Sequence, residues 1–295
     1  MKIFAINNRT FWHDEYKIVS SVGEIYGNLS FSGKIIRSVI GRFVPQLMPL
    51  FYTAEFKKCG KTEEAIIIFD SHLTIAPANY IHRRFPNLRI IYWFWNHIYD
   101  LSVLSKLDDG IEKWSYDQYD AKKYGIKHNT QFYIPNFTQD ILPNKNIQVD
   151  CVFVGKNKGR AEIINKVESL INNSGLSSFF HVVEEDSKVG GASNRMAYRD
   201  ILSIVKSAKC IVDIVPKEQK GLSLRPLEAL FFNKKLITTN KNIKNIPIYS
   251  PENVFIIGCD DINTLHNFVQ TANTNYNPLL KDFYSIQNWL LRFND

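Results

Sequence analysis

The chain has 295 residues, 45% of them apolar and 22% charged, with five Trp, 14 Tyr and 20 Phe scattered along it. That profile excludes a disordered or collagen-like chain and leaves room for one large core or two ordinary ones of about 150 residues each. Its 36 basic and 29 acidic residues give a net charge of +7 that the two halves share, so neither a basic tail nor a nucleic-acid partner is expected.

Cys59, Cys151, Cys210 and Cys259 stand far apart with no CxxC, and Cys151 and Cys210 open apolar runs, so reduced, buried thiols and a reducing compartment are expected. The opening MKIFAINN reads as a strand and lacks the features of a signal peptide, and no apolar run reaches the length of a membrane span. The expected location is the cytoplasm, with room for a peripheral place at the inner face of the cytoplasmic membrane.

Strand-like runs at Lys2 to Ile6, Ala65 to Phe69, Arg89 to Trp93 and Thr130 to Ile134 alternate with helix-compatible stretches. This alternation predicts a mostly parallel sheet covered by helices. Between the first two runs, Gly33 to Lys61 carries Lys34, Arg37, Arg42, Lys57, Lys58 and Lys61 against Glu55 alone, interleaved with Ile35, Ile36, Val39, Ile40, Phe43 and Val44. Two readings stand: a helix with its apolar side on the core and its basic side solvated, or a segment lying on an anionic membrane surface. Asp70 and Ser71 follow the run IIIF, at the strand end where open α/β sheets place ligands. A helix from about Ile75 to Arg84 is stopped by Pro86. His97 follows IIYWFW and Asn96, where a neutral imidazole can accept a proton near neutral pH. The histidine spacings fit no metal template, and no metal is expected.

From Asn136 to Gln148 the pattern lapses into NFTQDILPNKNIQ. The boundary placed there gives one domain over residues 1–140, a second over 149–275 and a closing segment, 276–295, whose amphipathic helix from Asp282 to Phe293 can pack back on the first. In the second half, strands are expected at Val149 to Val154, Phe179 to Val183, Cys210 to Val215, Lys235 to Thr238 and Asn253 to Ile257. Helices are expected between them at Arg160 to Asn172, Tyr198 to Ser207 and Leu224 to Phe232, which makes a doubly wound domain.

Two segments there carry chemistry. In VDCVFVGKNKGR a buried strand runs into a turn of Gly155, Lys156, Lys158, Gly159 and Arg160 that leads into a helix, so N–H groups and cations converge as a phosphate requires. Neither GxGxxG nor GxxxxGK[ST] is present. In CIVDIVPKEQKGLSLRPLEALFFNKKLITTN a loop with Glu218, Gln219 and Gly221 enters a helix starting near Ser223 or Leu224. Arg225 falls in its first turn, with the forked donors that suit a diphosphate; Glu228, three residues on and on the same face, suits a ribose diol. A surface ion pair is the plain alternative, but Leu224, Leu227, Ala229, Leu230, Phe231 and Phe232 leave little of this helix for solvent.

The stretches YWFWN (92–96), WSYDQYDAKKYGIKHNTQFY (114–133), VDCVFVGKNKGR (149–160) and IVDIVPKEQKGLSLRPLEALFFNKKLITTNKNI (211–243) resemble bacterial glycosyltransferases of the GT-B architecture that build lipopolysaccharide or capsule. The resemblance implies two Rossmann-like doubly wound α/β domains facing a central cleft, with a nucleotide-sugar donor held by the second. Glu228 looks like the second glutamate of the EX7E element, which binds the donor ribose; Lys220 stands where the first would be, which leaves retention or inversion open. The implied reaction moves a sugar from a nucleotide-diphosphate sugar to a hydroxyl of a glycan or lipid-linked glycan acceptor. Arg225, Lys158 and Arg160 meet the leaving diphosphate in place of a metal, and no cofactor beyond the donor is expected. If the enzyme inverts, His97, Asp14 or Asp70 supplies the base. The alternative is a non-catalytic sugar-nucleotide-binding or glycan-binding protein on the same scaffold.

Overall fold

The computed structural model describes residues 1–5, 22–139, 141–184, 196–216, 221–272 and 276–294. The chain forms two compact units, one of Met1–Thr130 with Leu290–Asp295 and one of Gln131–Trp289.

The first unit contains, in chain order, β1 (Lys2–Ala5), β2 (Val22–Glu24), α1 (Phe31–Phe43), a 3-10 stretch (Pro45–Phe51), α2 (Ala54–Lys58), β3 (Ala65–Phe69), α3 (Ile75–Arg84), β4 (Arg89–Phe94), α4 (Ser102–Lys106), β5 (Glu112–Ser115), α5 (Gln118–Tyr124) and β6 (Lys127–His128). The strands pair in parallel in the order β2-β1-β3-β4-β5-β6. β3 and β4 are near-continuous Ile and aromatic runs because both faces of a parallel sheet are covered. On one face Ile66, Ile68, Ile90, Tyr92 and Phe94 join Phe4, Tyr26, Phe56 and Ile81 in the core. Elsewhere in the unit Trp93 and Trp114 meet the ring of Phe293 edge-on at 5.8 and 4.9 Å, and Arg89 donates to the Phe293 carbonyl, so Phe293 is a core residue of this unit.

α1 departs from the usual amphipathic arrangement. None of its residues is buried, and the half-covered positions are Gly33, Lys34, Arg37 and Ile40. The core-facing reading of this segment is therefore corrected: its apolar arc is not what it lays on the protein.

The second unit contains β7 (Cys151–Lys156), α6 (Ala161–Asn173), β8 (Ser178–Val183), α7 (Tyr198–Ser207), β9 (Cys210–Asp213), α8 (Leu224–Phe232), β10 (Lys235–Thr238), β11 (Val254–Ile256), α9 (Leu265–Gln270), α10 (Pro278–Tyr284) and α11 (Ile286–Leu291). Its parallel sheet has the order β11-β10-β9-β7-β8. α6 buries Ile164, Val167 and Ile171 on one stripe. α8 tolerates Pro226 because the residue lies in the first turn, where no helical N–H bond is lost, and ends at Asn233 in the left-handed conformation at φ 52°.

Three expectations need correction. Residues 130–134 do not form a strand of a sheet; Tyr133 donates its N–H to Tyr284 at 2.8 Å and accepts from the Ile286 N–H at 3.0 Å, so its backbone is satisfied by an isolated bridge at Ser285. The closing helix is two helices, because Ser285 is extended at ψ 150° and turns its hydroxyl onto the Asp282 carbonyl. The short strands β2, β5 and β6 were not foreseen. The division between units falls after Thr130. The polar stretch around 136–148 runs along α7, where Ser203 and Ser207 donate to the carbonyls of Leu142 and Asn144. Among the described residues no helix is long and apolar enough to cross a membrane.

Candidate functional site

Both sheets reverse their strand order once, between β1 and β3 in the first unit and between β7 and β9 in the second. Open α/β sheets bind ligands at the carboxyl ends of the strands beside such a switch point. In the second unit the two strands there pair only through Cys151↔Cys210 and Val152↔Ile211, whereas β7 and β8 stay paired along six positions, from Cys151 to Lys156. Beyond Val152 the two strands make no further ladder pairs, and their backbone acceptors need other donors.

Two arginines supply them. Arg225, at the second position of α8, donates Nη2 to the Val154 carbonyl at 2.9 Å. Arg160, at the start of α6, donates to the Ile214 carbonyl from one side of its fork and to the Asn157 and Lys156 carbonyls from the rest. Arg160 thus stitches the β7–α6 turn to the segment after β9. In that turn Lys158 and Gly159 are consecutive left-handed residues at φ 47° and 70°, and Lys156, Lys158 and Gly159 are exposed. Gly155 is half-buried against the Phe153 ring, 3.0 Å from where a Cβ would lie.

Arg225 and Glu228 share a face as their spacing implies, and they pair with each other: Glu228 Oε2 accepts from Arg225 Nη1. The pair is not a surface bridge. Glu228 has a side-chain exposure of 0%, while 19% of Arg225 remains accessible. The other carboxylate oxygen accepts from the Tyr198 hydroxyl at 2.8 Å, and that phenol lies 3.4 Å from the Tyr133 hydroxyl. Burial pushes the Glu228 carboxyl above its usual range, opposed by Arg225 and by the Tyr198 bond. Burial pulls the guanidinium down, but Glu228, Tyr198 and Asp213 together more than offset it and Arg225 is held above its ordinary value. Burial, then the Glu228 charge, drive Tyr198 well up, so its phenol stays protonated as a donor.

Asp213, the last residue of β9, anchors the approach to α8. Its carboxylate accepts from Ser223 at 2.8 Å and Thr238 at 2.9 Å, and burial raises its pKa. Gly221 is buried and Leu224 opens the helix. At the neighbouring strand end, Asn240 caps a turn with its oxygen, while its buried amide nitrogen has no hydrogen-bond partner among the described residues. Gln219, with Glu218 and Lys220, lies outside the described residues. Sequence reasoning missed Asp213, Tyr198 and Tyr133; an acid closing the run CIVD was a usable signal for the first.

In the first unit, Asp70 follows β3 at the switch point, and burial raises its pKa to about 6. His97, in the loop after β4, places Nδ1 3.0 Å from Asp120 Oδ2, off the line of a hydrogen bond, with its ring edge-on to Tyr99. Asp120 also accepts from the Ile98 N–H at 3.0 Å, and burial raises its pKa. Asp117 caps α5 through the Tyr119 N–H at 2.9 Å. The fold brings ligand atoms of His97, Asp117 and Asp120 within 4.8 Å of one another, close enough to hold a cation. Asp14 lies outside the described residues.

Two parallel-sheet α/β units of six and five strands constitute the GT-B architecture. The structure is similar over its whole length to the lipopolysaccharide outer core galactosyltransferase WaaB, at 11% identity and a TM-score of 0.51, covering 98% of that chain. It is similar to AviGT4, a glycosyltransferase of avilamycin A biosynthesis, at 10% identity and 0.56, covering 100% of this chain and 96% of that one. Anabaena HepE in complex with UDP and glucose gives 9% identity and 0.55, covering 100% and 98%. At these identities the likeness is one of fold. No family model matches the sequence, and no curated protein does.

Proposed function

We propose that this chain is a glycosyltransferase that moves a sugar from a nucleoside-diphosphate sugar to a hydroxyl of a lipopolysaccharide, capsule or other surface glycan. The observation that carries the reading is the opened switch point between β7 and β9, where Arg225 is held by a buried carboxylate with 19% of its side chain accessible. A site of that kind is preorganised for a diphosphate: the cation is fixed at the end of β7 before the ligand arrives.

Glycosyl transfer leaves growing negative charge on the departing diphosphate. Arg225, with Lys156 and Lys158 on the exposed β7–α6 turn and the start of α6, would meet that charge without a metal ion. Arg160, bonded to three carbonyls, shapes the turn. Glu228 is enclosed by Tyr198 and Arg225, so in this arrangement it fixes the guanidinium, and a ribose contact requires its carboxylate to exchange one of these partners. In the first unit, the proton-accepting role toward an acceptor hydroxyl falls to His97, backed by Asp120 as an orienting carboxylate, or to Asp70, whose raised pKa brings it closer to neutrality. The UDP held by HepE, a protein of the same fold, supports a nucleoside-diphosphate donor here.

The test is turnover: purified chain incubated with UDP, GDP, CMP and TDP sugars, with and without glycan acceptors, and assayed for released nucleotide. Release with one donor, faster with acceptor, is expected. Tight binding of a donor with neither hydrolysis nor transfer would select the non-catalytic alternative.

A further inference from the structure

We propose that α1 and the 3-10 stretch after it form a membrane-docking surface, and that its occupant is a bilayer rich in anionic lipid. The inference stands apart from the transferase reading. It rests on which way α1 faces. Its half-covered residues, Gly33, Lys34, Arg37 and Ile40, recur at helical spacing and mark the side turned to the protein. Arg37 lies over the Tyr26 ring at 4.5 Å, Ile40 packs against the core, and Gly41 leaves room for the Met48 sulfur, 3.2 Å from where a Cβ would stand. The inward side thus carries glycine and basic residues, with Ile40 its one aliphatic contact.

The opposite side is apolar and open. Phe31, Ile35, Ile36, Val39 and Phe43 follow one another around about half of the helix, and Phe31 and Phe43 are 81% and 72% exposed. Leu47 and Leu50 extend the surface, Leu50 at 73%. A helix that serves a core hides such an arc, and contiguous exposed apolar area marks an interaction surface.

Charge chooses the occupant. From Ile25 to Ala54 the chain has no Asp or Glu, while Lys34, Arg37 and Arg42 fall within α1 itself. A second copy offering the same surface would bring cations together with no acid to pair them. Anionic headgroups pair with the exposed Arg42, which falls between Phe31 and Ile35 on the outward arc, and with the half-covered Lys34 at its flank, while Arg37 stays on Tyr26 and the rings and aliphatic chains enter the acyl boundary, the arrangement of helices that lie in a membrane interface.

The test is sedimentation of the full chain with vesicles of phosphatidylcholine alone or with one-third phosphatidylglycerol. Binding to the anionic vesicles is expected. Phe31→Ser and Phe43→Ser should each weaken it roughly tenfold, by removing a buried ring. Lys34→Gln and Arg42→Gln should each weaken it about fivefold and flatten its salt dependence. All four variants should keep the parent's circular dichroism and its hydrogen-exchange protection in β3 and β4, which shows that the first unit folds. Equal sedimentation with both vesicle types, none with either, or indifference to the Phe substitutions would overturn the proposal. So would a dimer in analytical ultracentrifugation that the Phe substitutions abolish, which would assign the surface to a second copy.

Discussion

Arg160 and Arg225 close the same opening in the five-stranded sheet from its two sides: Arg225 takes the Val154 carbonyl on β7, and Arg160 takes the Ile214 carbonyl just past β9. The two differ in what remains of them. Arg160 spends its fork on backbone carbonyls, and Arg225 is poised by a carboxylate with 19% of its side chain accessible.

Replacing Arg225 with Ala leaves Glu228 buried without its cation, so a loss of about 3 to 5 kcal/mol in unfolding free energy is expected, together with loss of nucleoside-diphosphate binding. Combining Arg225→Met with Glu228→Leu removes both charges and should restore most of the stability while binding stays lost. Urea titration and calorimetry on the single and double variants separate the two effects. Wild-type affinity in a folded double variant would remove Arg225 from the donor site.

Tyr198→Phe should cost about 1 to 3 kcal/mol, because Glu228 Oε1 loses a donor at 2.8 Å inside an enclosed site. Tyr133→Phe should cost less, since its hydroxyl stands 3.4 Å from that of Tyr198. Equal costs in urea titration would show that the two phenols share the carboxylate.

Asp70 ties stability to pH. A carboxyl with a pKa of about 6 in the fold and about 4 unfolded binds its proton more tightly when folded. Its contribution is therefore favourable at low pH and is lost as pH rises from about 4 through about 6, a change of about 3 kcal/mol. Asp70→Asn should match the parent near pH 4 and exceed it near pH 7. Parallel stability curves for the two proteins would show that the burial of Asp70 is not felt.

Phe293→Ala should cost about 3 to 5 kcal/mol in the first unit, where the ring is fully buried against Trp93 and Trp114. Hydrogen exchange should show protection falling in β4 and β5 and holding in β7, β9 and β10. A uniform fall across both sheets would mean that the units unfold together.

The doubly wound pattern of the second half is legible in the sequence because its strands are short apolar runs, such as CVFV and CIVD, set between helices with clear apolar stripes. β5 and β6 escape such a reading for a physical reason. EKWS begins with two charges, of which Glu112 pairs with Arg89 and with Lys127 on the edge strand, and KH is an edge pair with both residues exposed. The i to i+3 spacing shows that Arg225 and Glu228 share a face, and the apolar remainder of α8 shows that the face is enclosed. Neither reveals Tyr198, thirty residues earlier, as the second partner of Glu228. The direction of α1 is equally hidden, since a 3.6-residue period is the same whether the apolar arc faces inward or outward.

The hydrogen bond from Arg89 to the Phe293 carbonyl joins residues 204 positions apart. During synthesis the strands of the six-stranded sheet leave the ribosome long before the residue that completes their core, so the part made first is finished last. Vectorial folding, in which each domain is sealed before the next emerges, is barred to this unit. The five-stranded unit, contiguous from Gln131 to Trp289, is under no such delay. A released chain truncated after Trp289 should therefore resist protease across β7 to β11 while β1 to β6 are cut.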